Sequence, residues 1–304
     1  MPLIKTQISD SYVSDFLHTK YSDEDFGLQR IKGGELSQAF SYTADGQKRI
    51  IRFNIKNQEC FVKDKVCFEM FSKYGIPIPK ILEIGQIQNY YYAISQLAAG
   101  QTLDKLSAEQ NAQITPQIFE YLLKIWSIPV TGSGYGVWDS QTLNAPFKTA
   151  VEWLLVDIKP EHWKQLSETE KYCDFIMMNS IAAQIEDLKK YIPQQRYLVH
   201  GDFGFSNTLS DGQNITGIID WTESMYGDFV FDLCWLQFWS ESVDYLQLFA
   251  KFNKTMPVEN YDERCRLYLL LIGLTSMEIF AESRREKDYL DCVFVLKKLK
   301  LLPE

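Results

Sequence analysis

Residues 197–239 read YLVHGDFGFSNTLSDGQNITGIIDWTESMYGDFVFDLCWLQFW. Two short apolar runs, Tyr197–Val199 and Ile215–Ile219, predict strands. Polar residues stand at their ends. His200-Gly201-Asp202 follows the first run, Asn207 precedes a turn at Asp211-Gly212, and Asp220-Trp221 follows the second. The segment from Asn207 to Asp220 reads as strand–turn–strand, which brings both ends of one hairpin to one place. This arrangement suits magnesium–nucleotide phosphotransfer. Asp202 is expected to orient a substrate hydroxyl and accept its proton. Asn207 offers a neutral carbonyl oxygen and Asp220 a hard anionic one. Magnesium prefers such ligands and keeps phosphate oxygens in its shell. Singly, Asp and Asn are ordinary turn residues. The ordered set, each member bordering a strand, carries the chemistry.

Upstream, Ser9–Tyr21 predicts an opening helix with Ser9 as its cap and Val13, Phe16 and Leu17 on one face. Gly27–Ile31, Ala39–Thr43 and Lys48–Asn54 predict strands, the last two joined through Asp45-Gly46. Phe61–Tyr74 predicts a helix that stops before Ile76–Pro79, where two prolines impose an extended path. Lys80–Gln86 and Tyr90–Gln96 complete a mostly antiparallel sheet. Lys32–Gln38 lies between the first two strands. Its Gly33 and Gly34 let backbone approach phosphates, so Gly33, Gly34, Ser37 and Gln38 are a candidate nucleotide cover. It is not a Walker loop, and a Gly-Gly turn alone is the plainer reading. Arg52 on the third strand is a candidate phosphate cation, held by an acid of the following helix, Asp64 first and Glu69 next.

After Gly100 the pattern turns helical. Helices are expected at Pro116–Trp126, Thr149–Asp157, Lys171–Tyr191, Asp232–Phe252, Tyr261–Ala281 and Lys287–Lys300, with a long loop over Pro129–Pro146. The expected division is 1–97 as a nucleotide-binding lobe and 98–304 as a catalytic and substrate-binding lobe. Composition narrows the partners. The 304 residues are 46% apolar and carry 31 basic against 40 acidic side chains, a net charge of −9. No basic stripe marks a nucleic-acid surface, and an acidic molecule favours a cationic small substrate. The longest apolar tract, Leu267–Ala281, is too short and too polar to span a bilayer. No signal peptide opens the chain, and the six cysteines form no C-x-x-C pair. A reduced, cytoplasmic monomer is the expectation.

These motifs resemble those of the aminoglycoside phosphotransferase family. HGDFGFSN, His200–Asn207, is similar to its catalytic loop, and IIDW, Ile218–Trp221, to its metal-binding segment. The likeness extends to SQAFSY from Ser37, FVKDKVCFEMFSKYGIPIP from Phe61, TGSGYG from Thr131 and DWTESMYGD from Asp220. It covers nearly the whole chain, and the last fifty residues are least distinctive. The resemblance implies an α+β, bilobal, protein-kinase-like fold with an antiparallel-sheet N-lobe and a mainly helical C-lobe. It implies ATP as phosphoryl donor, with GTP open, and Mg2+ on Asn207 and Asp220. It places adenine against Ser95–Ala98, bonded by the backbone of Gln96 and Ala98. Arg52 stands where protein kinases carry a lysine, and Asp64 near the place of its glutamate partner. His200-Gly-Asp replaces the kinase His-Arg-Asp, which argues against a phosphorylated activation loop.

For a cationic aminoglycoside, the expected acceptor-binding residues are Asp202, Glu223, Asp228, Asp232, Trp235, Trp239 and Glu241. The acids suit protonated amines, and the two tryptophans, four apart, suit a wall for a sugar ring. Structural readings stand beside these: Asp232 as a helix cap, Asp228 as an anchor, the tryptophans as core. Two other functions are open, a kinase of another small metabolite and a catalytically silent nucleotide-binding protein. A helical adaptor would need a large exposed apolar or charged face that no segment demands.

Overall fold

The computed structural model describes residues 6–22, 25–32, 36–240, 243–253 and 257–303. They fall into two units. One joins the described part of 3–114 with 206–222, and the other joins 115–205 with 223–304. The expected functional cut at 97/98 is a different division, because it counts 98–114 and 206–222 with the catalytic part.

The first unit is built on a five-stranded antiparallel sheet. Its strands are β1 (Gln29–Ile31), β2 (Gln38–Ala44), β3 (Gln47–Asn54), β4 (Ile81–Ile87) and β5 (Tyr90–Gln96), in the order β1-β2-β3-β5-β4. β2 and β3 meet through Asp45 and Gly46, both at positive φ, the twist a two-residue hairpin turn requires. Helix α1 (Asp10–Lys20) is capped by Ser9, whose hydroxyl accepts the Tyr12 N–H. It buries Val13, Phe16 and Leu17, and the Phe16 ring lies edge-on to Tyr92 at 4.9 Å. Helix α2 (Glu59–Phe71) stands between β3 and β4. A 3₁₀ turn at Ser72–Tyr74 lengthens it until Gly75, at φ 75°, releases the chain into the proline segment. A second sheet, order β10-β9-β6, draws 206–222 into this unit. It consists of β6 (Gln101–Thr102), β9 (Thr208–Ser210) and β10 (Ile215–Ile218).

The second unit is mainly helical. It contains a small sheet of β7 (Gly136–Val137), β11 (Met225–Gly227) and β8 (Tyr197–Val199). The helices after α2 are α3 (Ala108–Trp126), whose residues 108–114 are counted with the first unit, then α4 (Ala150–Leu155), α5 (Pro160–Thr169), α6 (Phe175–Leu188), α7 (Val230–Phe238), α8 (Tyr245–Phe252), α9 (Tyr261–Glu282) and α10 (Glu286–Lys298). Helix α9 is the centre of the core. Leu267, Leu270, Leu274 and Met277 are fully buried, and α6, α7 and α10 pack around it. Gly273 admits α10 closely: a Cβ there would sit 2.8 Å from the Leu296 side chain.

Three elements differ from the sequence expectation. α3 begins at Ala108, not Pro116, which becomes an interior proline. Ser107 and Gln110 start it by reciprocal bonds, each side chain accepting the other's backbone N–H. The helix expected over Asp232–Phe252 is two helices. The Ser240 hydroxyl engages both backbone groups of Val243, and Asp244 caps α8 by accepting the Gln247 N–H. α5 was not anticipated, although Pro160 opens it at the position proline favours. Among the described residues no helix is long and apolar enough to cross a membrane.

Candidate active site

In the sheet unit, Arg52 occupies the central strand β3, registered against Ala39 of β2 and Ala93 of β5. Its guanidinium meets the Asp64 carboxylate of α2 at 2.5 Å and covers the Phe61 ring. Burial opposes the Arg52 charge, but the Asp64 and Asp220 carboxylates raise its pKa, so it stays a cation. Asp64 is buried and bridges two segments. Its other oxygen accepts the backbone N–H of Trp221 at 2.9 Å. The expected pairing of Arg52 with Asp64 is therefore present. Glu69 lies opposite Lys65 on an exposed face.

The β9–β10 hairpin carries the two residues expected to hold magnesium. Thr208 pairs with Ile218, and beyond them Ile219 N–H donates to the Asn207 carbonyl at 2.9 Å. Asn207 and Asp220 thus flank one end of the hairpin, as the sequence predicted. Asn207 is 8% exposed and Asp220 half-buried. Asp220 has φ 60°, a left-handed conformation uncommon outside glycine and concentrated at functional sites. Thr222 Oγ1 donates to Asp220 Oδ1 at 2.8 Å. The Asn207 amide oxygen and the Asp220 carboxylate, flanking the two strands at one end of the hairpin, are hard donors of the kind magnesium takes. A different group, His162, Glu278 and Glu282 of the helical unit, also brings ligand-type atoms together. Its His162–Glu282 contact is an ion-pair geometry, with Lys159 nearby on Glu278.

The linker after β5 rests on this hairpin. β6 pairs with β9, and a Cβ at Gly217 would lie 2.7 Å from the Ala98 methyl. Ala98 is held where only glycine fits beneath it. Gln96 is exposed, and its N–H already donates to the Lys80 carbonyl at 3.0 Å because β4 pairs there. Gln38 is 4% exposed, its amide oxygen accepting from Arg30, so its side chain ties β1 to β2. Ser37 is half-buried. Gly33 and Gly34 lie outside the described residues, as does Glu241.

In the helical unit, Asp202 follows β8 on a turn. Gly201 has φ 83°, and a Cβ there would fall 2.2 Å from the Glu223 carbonyl oxygen. Glycine is therefore required on two counts, backbone conformation and close approach. Asp202 is half-buried, and its N–H donates to His200 Nδ1 at 3.3 Å. The fully buried Phe203 stands edge-on to the His200 ring. Glu223 is exposed.

Asp228 and Asp232 were expected either to face the acceptor or to serve structurally, Asp228 as an anchor and Asp232 as a helix cap; the structure buries both, and Asp232 lies inside α7 rather than at its cap. Asp232 is fully buried. Its carboxylate accepts the Gly201 N–H at 2.9 Å, the His200 N–H at 3.1 Å and Trp126 Nε1–H at 3.1 Å. Burial pushes its pKa up to about 6, and these donors limit the rise. It fixes the loop that presents Asp202. Asp228 is 3% exposed and pairs with Arg264, which donates Nε–H to Oδ2 at 2.8 Å and a second bond to Oδ1. Asp228 Oδ1 also accepts the Val230 N–H at the start of α7. Both carboxylates are engaged inside the protein, which explains their place in the motif without a ligand. Trp235 lies beside Gly204, an ideal Cβ of which would be 3.8 Å from the indole. Trp239, 38% exposed, stands edge-on to it at 6.0 Å and continues to Phe280.

Comparison with known proteins bears on the family and the fold. A model described as the phosphotransferase enzyme family matches residues 28–264. The hygromycin-B 4-O-kinase of Escherichia coli is 28% identical over 281 residues, which are 90% of this chain and 80% of that protein. The crystal structure of aminoglycoside phosphotransferase APH(4)-Ia superposes with a TM-score of 0.80 at 26% identity, covering 95% of this chain and 99% of that one. A thermostable mutant of the same enzyme, in ternary complex with AMP-PNP and hygromycin B, gives 0.80 over 94% and 98% of the two chains, again at 26% identity. Spectinomycin phosphotransferase APH(9)-Ia shares the fold at 15% identity, with a TM-score of 0.68 over 98% and 100% of the two chains.

Proposed function

The chain belongs to the phosphotransferase enzyme family, and from that premise we propose that it moves the terminal phosphoryl group of ATP to a hydroxyl of an aminoglycoside, with hygromycin B as the acceptor to test first. The observation that carries this reading is the Asp64 carboxylate. One buried side chain holds both Arg52 and the backbone at Trp221, next to Asp220. A cation suited to phosphates and an anion suited to magnesium are thereby built on one support.

In this reading Asp202 orients the acceptor hydroxyl and takes its proton as the oxygen bonds to the terminal phosphorus. The bond from that phosphorus to its bridging oxygen breaks, and ADP leaves. Asn207 and Asp220 hold magnesium, which neutralises charge on the terminal phosphates when bound. Arg52 pairs with phosphate oxygens. Ser37, with Gly33 and Gly34, covers the nucleotide, and the linker at Gln96 and Ala98 receives the adenine. The Gln96 N–H is engaged by the Lys80 carbonyl, so it is not the group proposed for adenine. Trp235 and Trp239 form the aromatic side of the acceptor site, and Glu223 and Glu241 attract its amines. Asp228 and Asp232 serve as anchors of the loop and of α7. Residues 1–97 bind nucleotide and 98–304 serve catalysis and acceptor binding. A reducing, cytoplasmic compartment agrees with the six free cysteines, and a monomer is the state proposed.

The test is ATP consumption by purified protein with magnesium across hygromycin B, other aminoglycosides and simple amino alcohols. Turnover that requires an aminoglycoside is the expected result. Turnover only with a metabolite would replace the acceptor and keep the phosphotransfer.

A further inference from the structure

Lys63 is 3% exposed, an uncommon place for an ammonium group. A buried charge is costly unless hydrogen bonds satisfy it. Its Nζ donates to the backbone carbonyl of Thr222 at 2.9 Å. Thr222 in turn donates its hydroxyl to Asp220 Oδ1 at 2.8 Å. The neighbouring α2 residue, Asp64, accepts the N–H of Trp221 between them. Asp220 itself keeps a left-handed backbone at φ 60°, which surrounding bonds must maintain. Two consecutive residues of one helix thus fix the peptide groups that follow Asp220, and the fixed residue steers its carboxylate.

We infer that Lys63 and Thr222 are positioning residues for Asp220, a relay from α2 that sets the carboxylate for a divalent cation carried by the nucleotide phosphates. The inference rests on the reading of Asp220 as a magnesium ligand. Partners that orient a metal ligand typically contribute about 10–100-fold to metal affinity. Neither residue touches the phosphates in this account. Thr222 acts on the ligand oxygen, and Lys63 acts on Thr222.

The test is calorimetric binding of AMP-PNP over a magnesium titration, for wild-type protein, Thr222→Val, Thr222→Ser and Lys63→Met. Thr222→Val keeps the side-chain shape and removes the hydroxyl. It is expected to raise the magnesium requirement by about 10-fold or more, while AMP-PNP binding without magnesium stays unchanged. Thr222→Ser restores the donor and is expected to return most of the affinity. Lys63→Met is expected to shift the requirement in the same direction. Should that variant fail to fold, Thr222→Val decides. A wild-type magnesium requirement in Thr222→Val overturns the inference, as does a loss of AMP-PNP affinity that is equal with and without the metal. If wild-type protein binds AMP-PNP with no dependence on magnesium, the metal role of Asp220 falls, and this inference with it. If only the variant result is unexpected, the metal role stands.

Discussion

The Asp232 carboxylate accepts the backbone N–H of Gly201 at 2.9 Å, inside a site closed to solvent. The loop bearing Asp202 is thereby tied to α7 through an acid that never reaches the surface. Its pKa, about 6 against an ordinary 3.8, makes the tie measurable. Between those values the folded protein holds a proton that the unfolded chain releases, so raising the pH from about 4 to about 6 removes stability, on the order of 3 kcal/mol. Above about 6 the contribution is constant. Urea unfolding of wild type and Asp232→Asn across this range checks the sign. The wild-type stability, taken relative to the variant, is expected to fall as pH rises through this window. A difference that is flat or rising with pH contradicts the assignment.

Asp228 and Arg264 form a two-bond ion pair with both side chains buried. Removing one partner leaves an uncompensated charge, which costs about 3–5 kcal/mol. Arg264→Met is therefore expected to lower the urea midpoint sharply. Asp228→Asn, assayed below its own unfolding midpoint, is expected to keep the acceptor KM. A KM increase with unchanged stability would return Asp228 to the acceptor site.

Gly217 supports the linker by its lack of a side chain. In Gly217→Ala the new methyl would stand 2.7 Å from Ala98 Cβ, closer than real Cβ contacts allow, so the linker must shift. Nucleotide affinity is expected to fall by about 10-fold, equal to 1.4 kcal/mol, with the acceptor KM unchanged. Titration with AMP-PNP measures it. Unchanged affinity would remove Ala98 from adenine binding.

Asp202→Ala is expected to bind nucleotide like wild type and to lose phosphotransfer by about 10²-fold or more. Single-turnover transfer and AMP-PNP calorimetry separate the two effects. Equal turnover would take the proton-accepting role away from Asp202.

How much of this was legible in the sequence follows from distance along the chain. The β9–β10 hairpin and its flanking Asn207 and Asp220 were readable, because strand pattern and turn chemistry are local. The Arg52–Asp64 pair was readable too, since only a strand end and one helical turn separate its members. Asp232 was not. Its use depends on Trp126, 106 residues away, and on burial, which no window of sequence displays. Asp228 stays open between ligand and anchor in the sequence for the same reason, its partner Arg264 lying 36 residues on. Lys63 gave no signal at all, since a lysine in a helical stretch ordinarily faces water. The start of α3 was different. Ser107 and Gln110 spell a capping box, but the apolar spacing that marks the helix is clear only from Ile118 onward.

Phosphoryl transfer to an aminoglycoside adds a defined mass to the acceptor, which mass spectrometry reads. Hygromycin B incubated with the protein, ATP and magnesium is predicted to gain one phosphoryl group, and to gain almost none with Asp202→Ala. The contradicting result is unmodified hygromycin B and unmodified aminoglycosides throughout, from folded wild-type protein that binds ATP and magnesium.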